Sequence, residues 1–128
     1  MNRRESLEQE KAPRVTFPPL TPSVFYILIV LAEGERHGYA IMQEAAKQSC
    51  GTVRLGPGTL YTAIGRLLKD GLIEELGERP APEMDDSRRR YYRLSDRGSQ
   101  ALAAEAKRLG DLARLARSTR ALRELKHA

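Results

Sequence analysis

The chain has 128 residues, of which 41% are hydrophobic and 30% are charged. This length predicts one domain, because domains typically hold about 100 to 150 residues, and it excludes a multidomain enzyme. The composition is too apolar for a disordered chain. The longest apolar run, residues 24–32, is far shorter than the roughly 20 residues of a membrane span. We therefore expect a globular protein that stays in the cytoplasm and has no membrane partner.

The cysteine and histidine content indicates no cofactor. Cys50 is the one cysteine, and the two histidines, His37 and His127, lie far apart in sequence. These numbers exclude an internal disulfide and indicate no metal site. Cys50 is interpreted as a small residue at a helix end, with a redox-sensing thiol as the alternative. The sequence holds no glycine-rich phosphate loop and no nucleophile elbow, so we expect no enzymatic activity.

The charge indicates an anionic partner. Lys and Arg total 22 against 17 Asp and Glu, which gives a net charge of +5, and 17 of the 22 cations are Arg. The planar guanidinium binds phosphate through paired hydrogen bonds, so this composition favours a polyanion. The charge is also uneven along the chain. Residues 71–87 hold six acids and one base, Arg79, whereas residues 88–93 hold four Arg and no acid.

The first part of the chain predicts an arm and two helices. Residues 1–19 mix charges and prolines and are predicted to be a flexible N-terminal arm. Thr21 is a typical helix cap, and helix one is predicted to run from it to about Glu33. Its continuous apolar run indicates burial on most sides. A second helix is predicted over 37–49, with His37 in a neutral structural role at its start.

A third helix is predicted to begin near Thr59, after the turn at residues 56–58, and to end at Asp70. On a helical wheel its apolar residues share one arc, which comprises Leu60, Ile64, Leu67 and Leu68. The opposite face is polar and comprises Thr59, Thr62, Arg66 and Lys69. The third helix should therefore bury one side and present the other.

Two strands are predicted after this helix. Residues 72–76 alternate apolar and acidic side chains, and residues 89–94 combine tyrosines with arginines. They are predicted to pair as an antiparallel hairpin with a long acidic loop over residues 76–88. Strand alternation should send one of Tyr91 and Tyr92 into the core and the other outward, with stacking on unpaired bases as the alternative.

The last helix is predicted to run from its cap, Ser95, towards Leu125, with weak points at Gly110, Ser118 and Thr119. Apolar residues recur at heptad spacing along one face of it. This stripe comprises Leu102, Ala106, Leu109, Leu112, Ala113 and Ala116. We predict that residues 99–128 form a dimerisation helix and that Leu102, Leu109, Leu112 and Ala116 make its contacts. The alternative is a helix that folds back on its own domain.

Three helices followed by a two-stranded hairpin is the order of the winged helix-turn-helix fold. In that fold the third helix enters the major groove of DNA and the hairpin, or wing, lies along the backbone. We therefore predict a mainly α fold with a small β-hairpin wing over residues 20–98. The predicted DNA-binding residues are Thr59, Tyr61, Thr62, Arg66 and Lys69 in the helix and Arg88, Arg89 and Arg90 in the wing.

Each of these side chains has an alternative interpretation. The polar face of helix three also fits a solvated surface, and the ring of Tyr61 can pack without reaching a phosphate. The arginines over 88–90 can neutralise Asp85 and Asp86 in place of binding phosphate.

Several blocks of the sequence resemble the PadR family of transcriptional regulators over about residues 20–98. The blocks are Leu20-Thr21, His37-Gly38-Tyr39, Gly58-Thr59-Leu60-Tyr61, Arg66-Leu67, Asp70-Gly71-Leu72-Ile73, Arg90-Tyr91-Tyr92-Arg93-Leu94-Ser95 and Gly98. The resemblance implies a repressor of transcription that binds double-stranded DNA at an inverted repeat as a homodimer. It also implies a C-terminal helical region that joins the protomers, here reduced to one helix.

The chain departs from the family in its long acidic loop, in Gly65 within the third helix, and in having no Trp. For Gly65, close approach to a neighbour is the one explanation that the sequence offers. A small-molecule effector is a further expected partner. Some relatives stack flat drugs between tryptophans, and this chain has no tryptophan for such stacking. The competing functions are a winged-helix module that binds protein, and a small-molecule sensor whose DNA binding is secondary.

Overall fold

The computed structural model describes residues 16–80 and 88–125. It contains five helices and three strands within those ranges. In chain order they are α1 (Pro22–Ala32), β1 (Arg36–His37), α2 (Gly38–Gln48), α3 (Pro57–Lys69), β2 (Ile73–Pro80), β3 (Arg88–Leu94), α4 (Asp96–Arg117) and α5 (Arg120–Glu124). The arm before residue 16, the loop 81–87 with its aspartates, and residues 126–128 with His127 lie outside the described residues.

Helix α1 is the centre of the core. The Thr21 hydroxyl accepts a hydrogen bond from the Val24 amide at 3.2 Å, and Pro22 occupies the first turn, where its missing amide costs no helical bond. Four residues of the helix are buried: Ile27, Leu28, Val30 and Leu31. They pack with the apolar residues of α2, α3 and the sheet, including Ile41, Leu60 and Tyr92. The burial predicted from the apolar run is confirmed.

Helix α2 begins one residue later than predicted. His37 is not its first helical residue but its cap, because Nδ1 of the ring accepts the Ala40 amide at 3.1 Å. The helix ends at Gln48, and Cys50 follows with a positive φ of 54°. Cys50 is exposed at this helix end, where the left-handed conformation closes the last turn.

The sheet has three strands rather than the two predicted. Strand β3 is central and pairs antiparallel with β2 on one side and with β1 on the other. Arg36 lies opposite Tyr92, and His37 lies opposite Tyr91. A two-residue strand has no alternation to detect, so β1 leaves no signal in the sequence. Its partner lies more than 50 positions away.

Strand β2 is longer than predicted and takes up part of the predicted loop. The register shifts between Glu75 and Gly77, and Gly77 adopts a φ of 94°. This bulge lets pairing resume, so that β2 continues to Pro80 opposite Arg88. A proline is tolerated there because β2 is an edge strand.

The C-terminal helix is shorter than predicted. It ends at Arg117, and the five-residue α5 follows. The Ser118 hydroxyl donates to the Leu115 carbonyl, and the Thr119 hydroxyl donates to the Ala116 carbonyl, both at 2.7 Å. These side chains compete with the backbone for the last carbonyls of the helix. The break therefore falls at two of the three predicted weak points, while Gly110 is accommodated.

The described helices and sheet form the predicted winged helix-turn-helix, mainly α with a small β wing. Tyr92 is the tyrosine of the pair that faces the core, at 3% exposure. In residues 16–80 and 88–125 no helix has the length and apolar character needed to cross a bilayer.

Two glycines of α4 provide a matched test of the fold. An added Cβ at Gly98 would overlap the Leu72 carbonyl oxygen and lie 2.7 Å from Leu94 Cδ1, whereas one at Gly110 would meet nothing within 4 Å. We expect Gly98→Ala to lower the free energy of unfolding by about 1 to 3 kcal/mol through overpacking. Gly110→Ala should raise it by up to about 1 kcal/mol through helix propensity. Urea unfolding of both variants checks this, and equal effects of one sign would contradict it.

Candidate nucleic-acid interface

Helix α3 buries one face and presents the other, as predicted. Leu60, Ile64 and Leu67 are buried. Opposite them are four exposed polar residues, Thr59, Thr62, Arg66 and Lys69. No other described residue forms a hydrogen bond or ion pair with these four side chains. Their donors and acceptors are thus directed outward from a helix that the core holds in place.

Gly65 lies on this exposed side of α3. A Cβ built there would meet nothing within 4 Å. Close approach to another part of the described chain therefore does not explain the glycine. What Gly65 does provide is a flat patch between Thr62 and Lys69, where an external surface can come close to the helix backbone.

Tyr61 joins α3 to the start of α2. Its ring is 54% exposed, and its hydroxyl lies so close to Gly38 that an added Cβ there would be 2.8 Å from the oxygen. The tyrosine therefore leans on the glycine at the first turn of α2, and the rest of its ring faces solvent. The hydroxyl end of the ring is thus the part that packs on the domain, and a phosphate contact by Tyr61 stays a prediction.

A cavity of about 540 Å³ opens between Tyr61 and the wing. It is lined by Gly38, Tyr39, Tyr61, Glu78, Arg89, Arg90 and Tyr92. The guanidinium carbon of Arg89 lies 5.0 Å from the centroid of the Tyr39 ring, within the range of a cation–π contact. Burial and the charge of Glu75 raise the pKa of Tyr92 above its ordinary value of 10.0. The cavity thus combines two arginines with three tyrosines beside the exposed face of α3.

Ion pairs between β2 and β3 hold several wing arginines. Arg90 lies 3.3 Å from Glu75 and 3.5 Å from Glu78, and Arg93 lies 2.8 Å from Glu74. Arg90 remains 60% exposed. Within the described residues the partners of Arg90 are glutamates of the neighbouring strand. The alternative interpretation, neutralisation by Asp85 and Asp86, falls on residues outside the described ranges.

A second set of contacts ties the wing to the turn after α1. Arg79 forms an ion pair with Glu35, which lowers the pKa of that carboxyl below its ordinary 4.5. The same guanidinium lies 4.5 Å from the Tyr91 ring centroid, and Tyr91 meets the His37 ring edge-on. These contacts brace the wing against the domain.

Several residues of this region were not functional candidates from the sequence. Tyr39 and Gly38 entered only through the family resemblance, and Glu75 and Glu78 entered only as acidic charge. Their position beside Arg90 depends on the bulge at Gly77 and on strand pairing, which local patterns do not encode. Among the residues that the structure describes, no three His, Cys, Asp or Glu side chains are grouped to hold a metal ion.

The predicted dimerisation face of α4 divides into two halves. Leu102 is partly buried and packs against the core of its own chain. Beyond it the face is uncovered, because Leu109 is 39% and Leu112 48% exposed, and Ala116 is exposed as well. Leu115 on the adjoining face and Leu122 and Leu125 near the C-terminus are further exposed leucines.

Between these halves lies a buried charge, Glu105, which is 4% exposed. Its carboxylate accepts hydrogen bonds from the Leu20 amide and from Arg108 Nε, both at 3.1 Å. The Arg108 bond, assisted by the Leu20 amide, holds the pKa of Glu105 below its ordinary 4.5 although burial acts in the opposite direction. Glu105 borders an apolar cavity of about 440 Å³ between α1 and α4. In the sequence, the signal for this buried charge was a Glu inside an apolar stripe, three residues before an Arg.

A helix held with its polar face outward, next to a braced antiparallel wing, defines the chain as a winged helix-turn-helix protein. Residues 27–104 match the family model described as the transcriptional regulator PadR-like family. The chain belongs to this family. Its members are transcriptional regulators and not enzymes.

One curated relative is itself a transcriptional regulator. The chain is 36% identical over 89 residues to the transcriptional regulator Rv3488 of Mycobacterium tuberculosis, a match that covers 70% of this chain and 77% of that protein. It is 39% identical over 80 residues, or 62% of its length, to a 37.1 kDa protein of transposon TN4556 from Streptomyces fradiae. That match spans only 21% of the transposon protein.

Solved structures share the fold. A transcriptional regulator from Clostridium thermocellum superimposes with a TM-score of 0.62 at 24% identity, covering 76% of this chain and 91% of that one. A PadR family regulator from Clostridium difficile gives a TM-score of 0.62 at 21% identity over 74% and 94% of the two chains. The circadian clock associated protein Pex from Anabaena gives a TM-score of 0.57 at 24% identity, covering 93% of this chain and 100% of that one.

Acid should destabilise the protein through Glu105. Its pKa is lower in the folded chain than the 4.5 of an ordinary carboxyl, so its contribution to stability is complete above pH 4.5 and is lost as the pH falls through the folded pKa. We expect the free energy of unfolding of Glu105→Gln to depend less on pH than that of the parent chain below about pH 4.5.

Asp111 provides the control. Its pKa is also lowered, by hydrogen bonds from Lys107 and Arg114, but the carboxylate is exposed and screened by solvent. Asp111→Asn should therefore retain most of the acid sensitivity of the parent chain. Urea unfolding at a series of pH values measures both variants, and an unchanged pH slope in Glu105→Gln would contradict the assignment.

Proposed function

We propose that this regulator binds a specific inverted-repeat operator as a homodimer and represses transcription by occupying it until a signal releases it. The observation that carries the proposal is the outward polar face of α3, whose four side chains have no partner among the described residues. Repression and the inverted repeat rest on the resemblance to the PadR family, and the homodimer rests on that resemblance together with the exposed leucines of α4.

The exposed side chains of α3 suit the major groove. Thr59 and Thr62 can hydrogen-bond to base edges or contact a thymine methyl, and Arg66 can form a paired contact to guanine. Gly65 leaves room for the helix backbone to come near the bases. Lys69, at the end of the helix, is suited to a backbone phosphate.

The wing supplies phosphate contacts. Arg89 and Arg90 line the cavity beside Tyr61, so a DNA backbone that follows α3 would pass over all three. The pairs of Arg90 with Glu75 and Glu78 are exposed, and such pairs are worth only about 0 to 1 kcal/mol, so a polyanion competes with them. Arg88, which opens β3, stays a predicted phosphate contact.

The homodimer accounts for the uncovered half of α4. Leu109, Leu112 and Ala116 continue the face that α1 covers nearer the start of the helix. All three are exposed, with Leu109 at the edge of the cavity against α1. A second copy presents the same stripe, so the two can pair about a two-fold axis. Two winged domains joined in this way would read two half-sites about one helical turn, or a multiple of it, apart.

An effector would have a binding site between α1 and α4. The apolar cavity of about 440 Å³ lies between α1 and α4 and includes Phe25 and Tyr26 in its lining. Occupation of a cavity between the DNA-reading domain and the dimerisation helix could change operator affinity. No tryptophan is present to stack a flat drug, and we expect weak binding of planar cationic dyes.

Arg66 and Lys69 separate base reading from phosphate binding. The operator is first selected from a random duplex library with the full chain. Arg66→Ala should then weaken operator binding by about 1 to 3 kcal/mol while binding to unrelated DNA changes much less. Lys69→Ala should weaken both and reduce the salt slope by about one unit. A parent chain that selects no sequence would contradict the proposal and favour a protein-binding module.

The homodimer is tested by substitutions in the exposed part of the α4 stripe. Leu109→Glu together with Leu112→Glu should reduce the mass in solution from two chains to one and weaken operator binding, because charge is placed in the shared apolar contact. Ala103→Glu with Ala104→Glu adds the same charge at exposed positions off the stripe and should leave the dimer intact. Sedimentation equilibrium measures the mass, and a folded, dimeric stripe variant would contradict the model.

A further inference from the structure

The first anchor of α4 lies at the turn that follows α3. The Ser95 amide donates to the Leu72 carbonyl at 3.1 Å, and its hydroxyl donates to the Gly71 carbonyl at 2.6 Å. The same hydroxyl accepts the Gly98 amide at 3.0 Å. Gly98 packs so closely on Leu72 that no side chain fits. The start of α4 is therefore a tight pivot, joined to the turn that follows α3.

The second anchor is Glu105, about 10 Å further along the helix by its rise of 1.5 Å per residue. Its buried carboxylate binds the Leu20 amide, which precedes the first turn of α1 and has no helical partner. A hydrogen bond to a fixed amide is directional. An apolar residue at the same position would fill the space but would let α4 turn or slide on α1, and would leave that amide unpaired.

Between the two anchors Ala101 and Leu102 pack on the core, and beyond Glu105 no hydrogen bond or ion pair joins α4 to the domain in the described chain. From Leu109 to Arg117 every residue is exposed except Ala113, which is partly buried. The distal half therefore takes its direction from the pivot at Ser95 and Gly98 and from the bond at Glu105. Two fixed points on a rigid helix define a line.

We propose that Glu105 is the positioning residue that sets the direction of α4 relative to α3, and thereby the spacing of the two half-sites that the dimer reads. The second part rests on the proposed function. The end of α4 lies about 28 Å beyond the pivot at Gly98 by helical rise. A rotation of about 7° about that pivot would move the end by about 3 Å, close to the roughly 3.4 Å rise of one base pair. Loss of the bond should therefore alter spacing and leave base preference within each half-site unchanged.

The direction of α4 can be measured without DNA. Cys50 is the single, exposed cysteine, and Arg117→Cys adds a second label site at the end of α4. Spin labels on both report the distance between the domain and the helix end. Doubly labelled chains are diluted with unlabelled chain so that the distance within one protomer dominates. Glu105→Leu should broaden or shift the distance distribution, and Glu105→Gln, which keeps an acceptor, should lie between it and the parent.

The matched control is Asp111→Asn, which removes an exposed carboxylate from the same helix and should leave the distribution as in the parent. If Glu105→Leu fails to fold, the distance distribution of Glu105→Gln must still be broader than that of Asp111→Asn. A distribution in the folded Glu105 variant that matches the control would overturn the proposal.

The consequence for DNA is measured with duplexes that carry two selected half-sites at varied separations. The parent should prefer one separation, whereas Glu105→Leu should accept separations that differ by a base pair with the same half-site sequence. An unchanged separation preference would overturn the link to spacing. A parent that shows no preference for paired half-sites would instead contradict the proposed function, and the spin-label distances would still decide whether Glu105 directs α4.

Discussion

Hydrogen bonds of Ser95 to the turn after α3 join the elements of the domain at a tightly packed point. Ser95 binds the carbonyls of Gly71 and Leu72 and caps α4 through the Gly98 amide. The end of α3, the start of β2, the end of β3 and the start of α4 all meet there. Because Gly98 leaves no space for a side chain against Leu72, these elements have little freedom to shift relative to each other. The exposed face of α3 and the direction of α4 both derive from this junction.

The surface proposed to face DNA combines a helix fixed on the core with exposed polar side chains. The buried arc of α3 fixes the helix on the core, whereas its polar side chains point to solvent. The wing beside it carries arginines that are partly neutralised by Glu74, Glu75 and Glu78. Exposed pairs of this kind contribute little stability. They keep the wing from being strongly basic without removing its capacity to meet phosphate.

One face of helix α4 is buried near the start of the helix and exposed towards its end. Near its start the face belongs to the core of its own chain, through Ala101 and Leu102. After Arg108 the same face is uncovered and rich in leucine. Glu105 lies at the boundary, where an apolar residue would satisfy packing but not the Leu20 amide. A buried carboxylate with two donors costs desolvation energy, and its benefit is a defined geometry rather than added stability.

The sequence by itself determined the first three helices to within about two residues, the caps Thr21 and Ser95, and the buried arc of α3. These are local features: a Thr or Ser cap, a 3.6-residue apolar period, and prolines and glycines that end elements. It also indicated the exposed face of α3, because the polar half of an amphipathic helix has no other place to lie. The weak points Ser118 and Thr119 were visible for the same reason, since their hydroxyls act on carbonyls three residues away.

Tertiary structure alone decided the rest. Strand β1 exists because β3 offers it a free edge across more than 50 residues, and β2 reaches Pro80 because a bulge at Gly77 restores its register. Glu105 is buried because an amide 85 positions away needs an acceptor. In each case the deciding partner is distant in sequence, and pairing between distant residues leaves no periodic trace at either position.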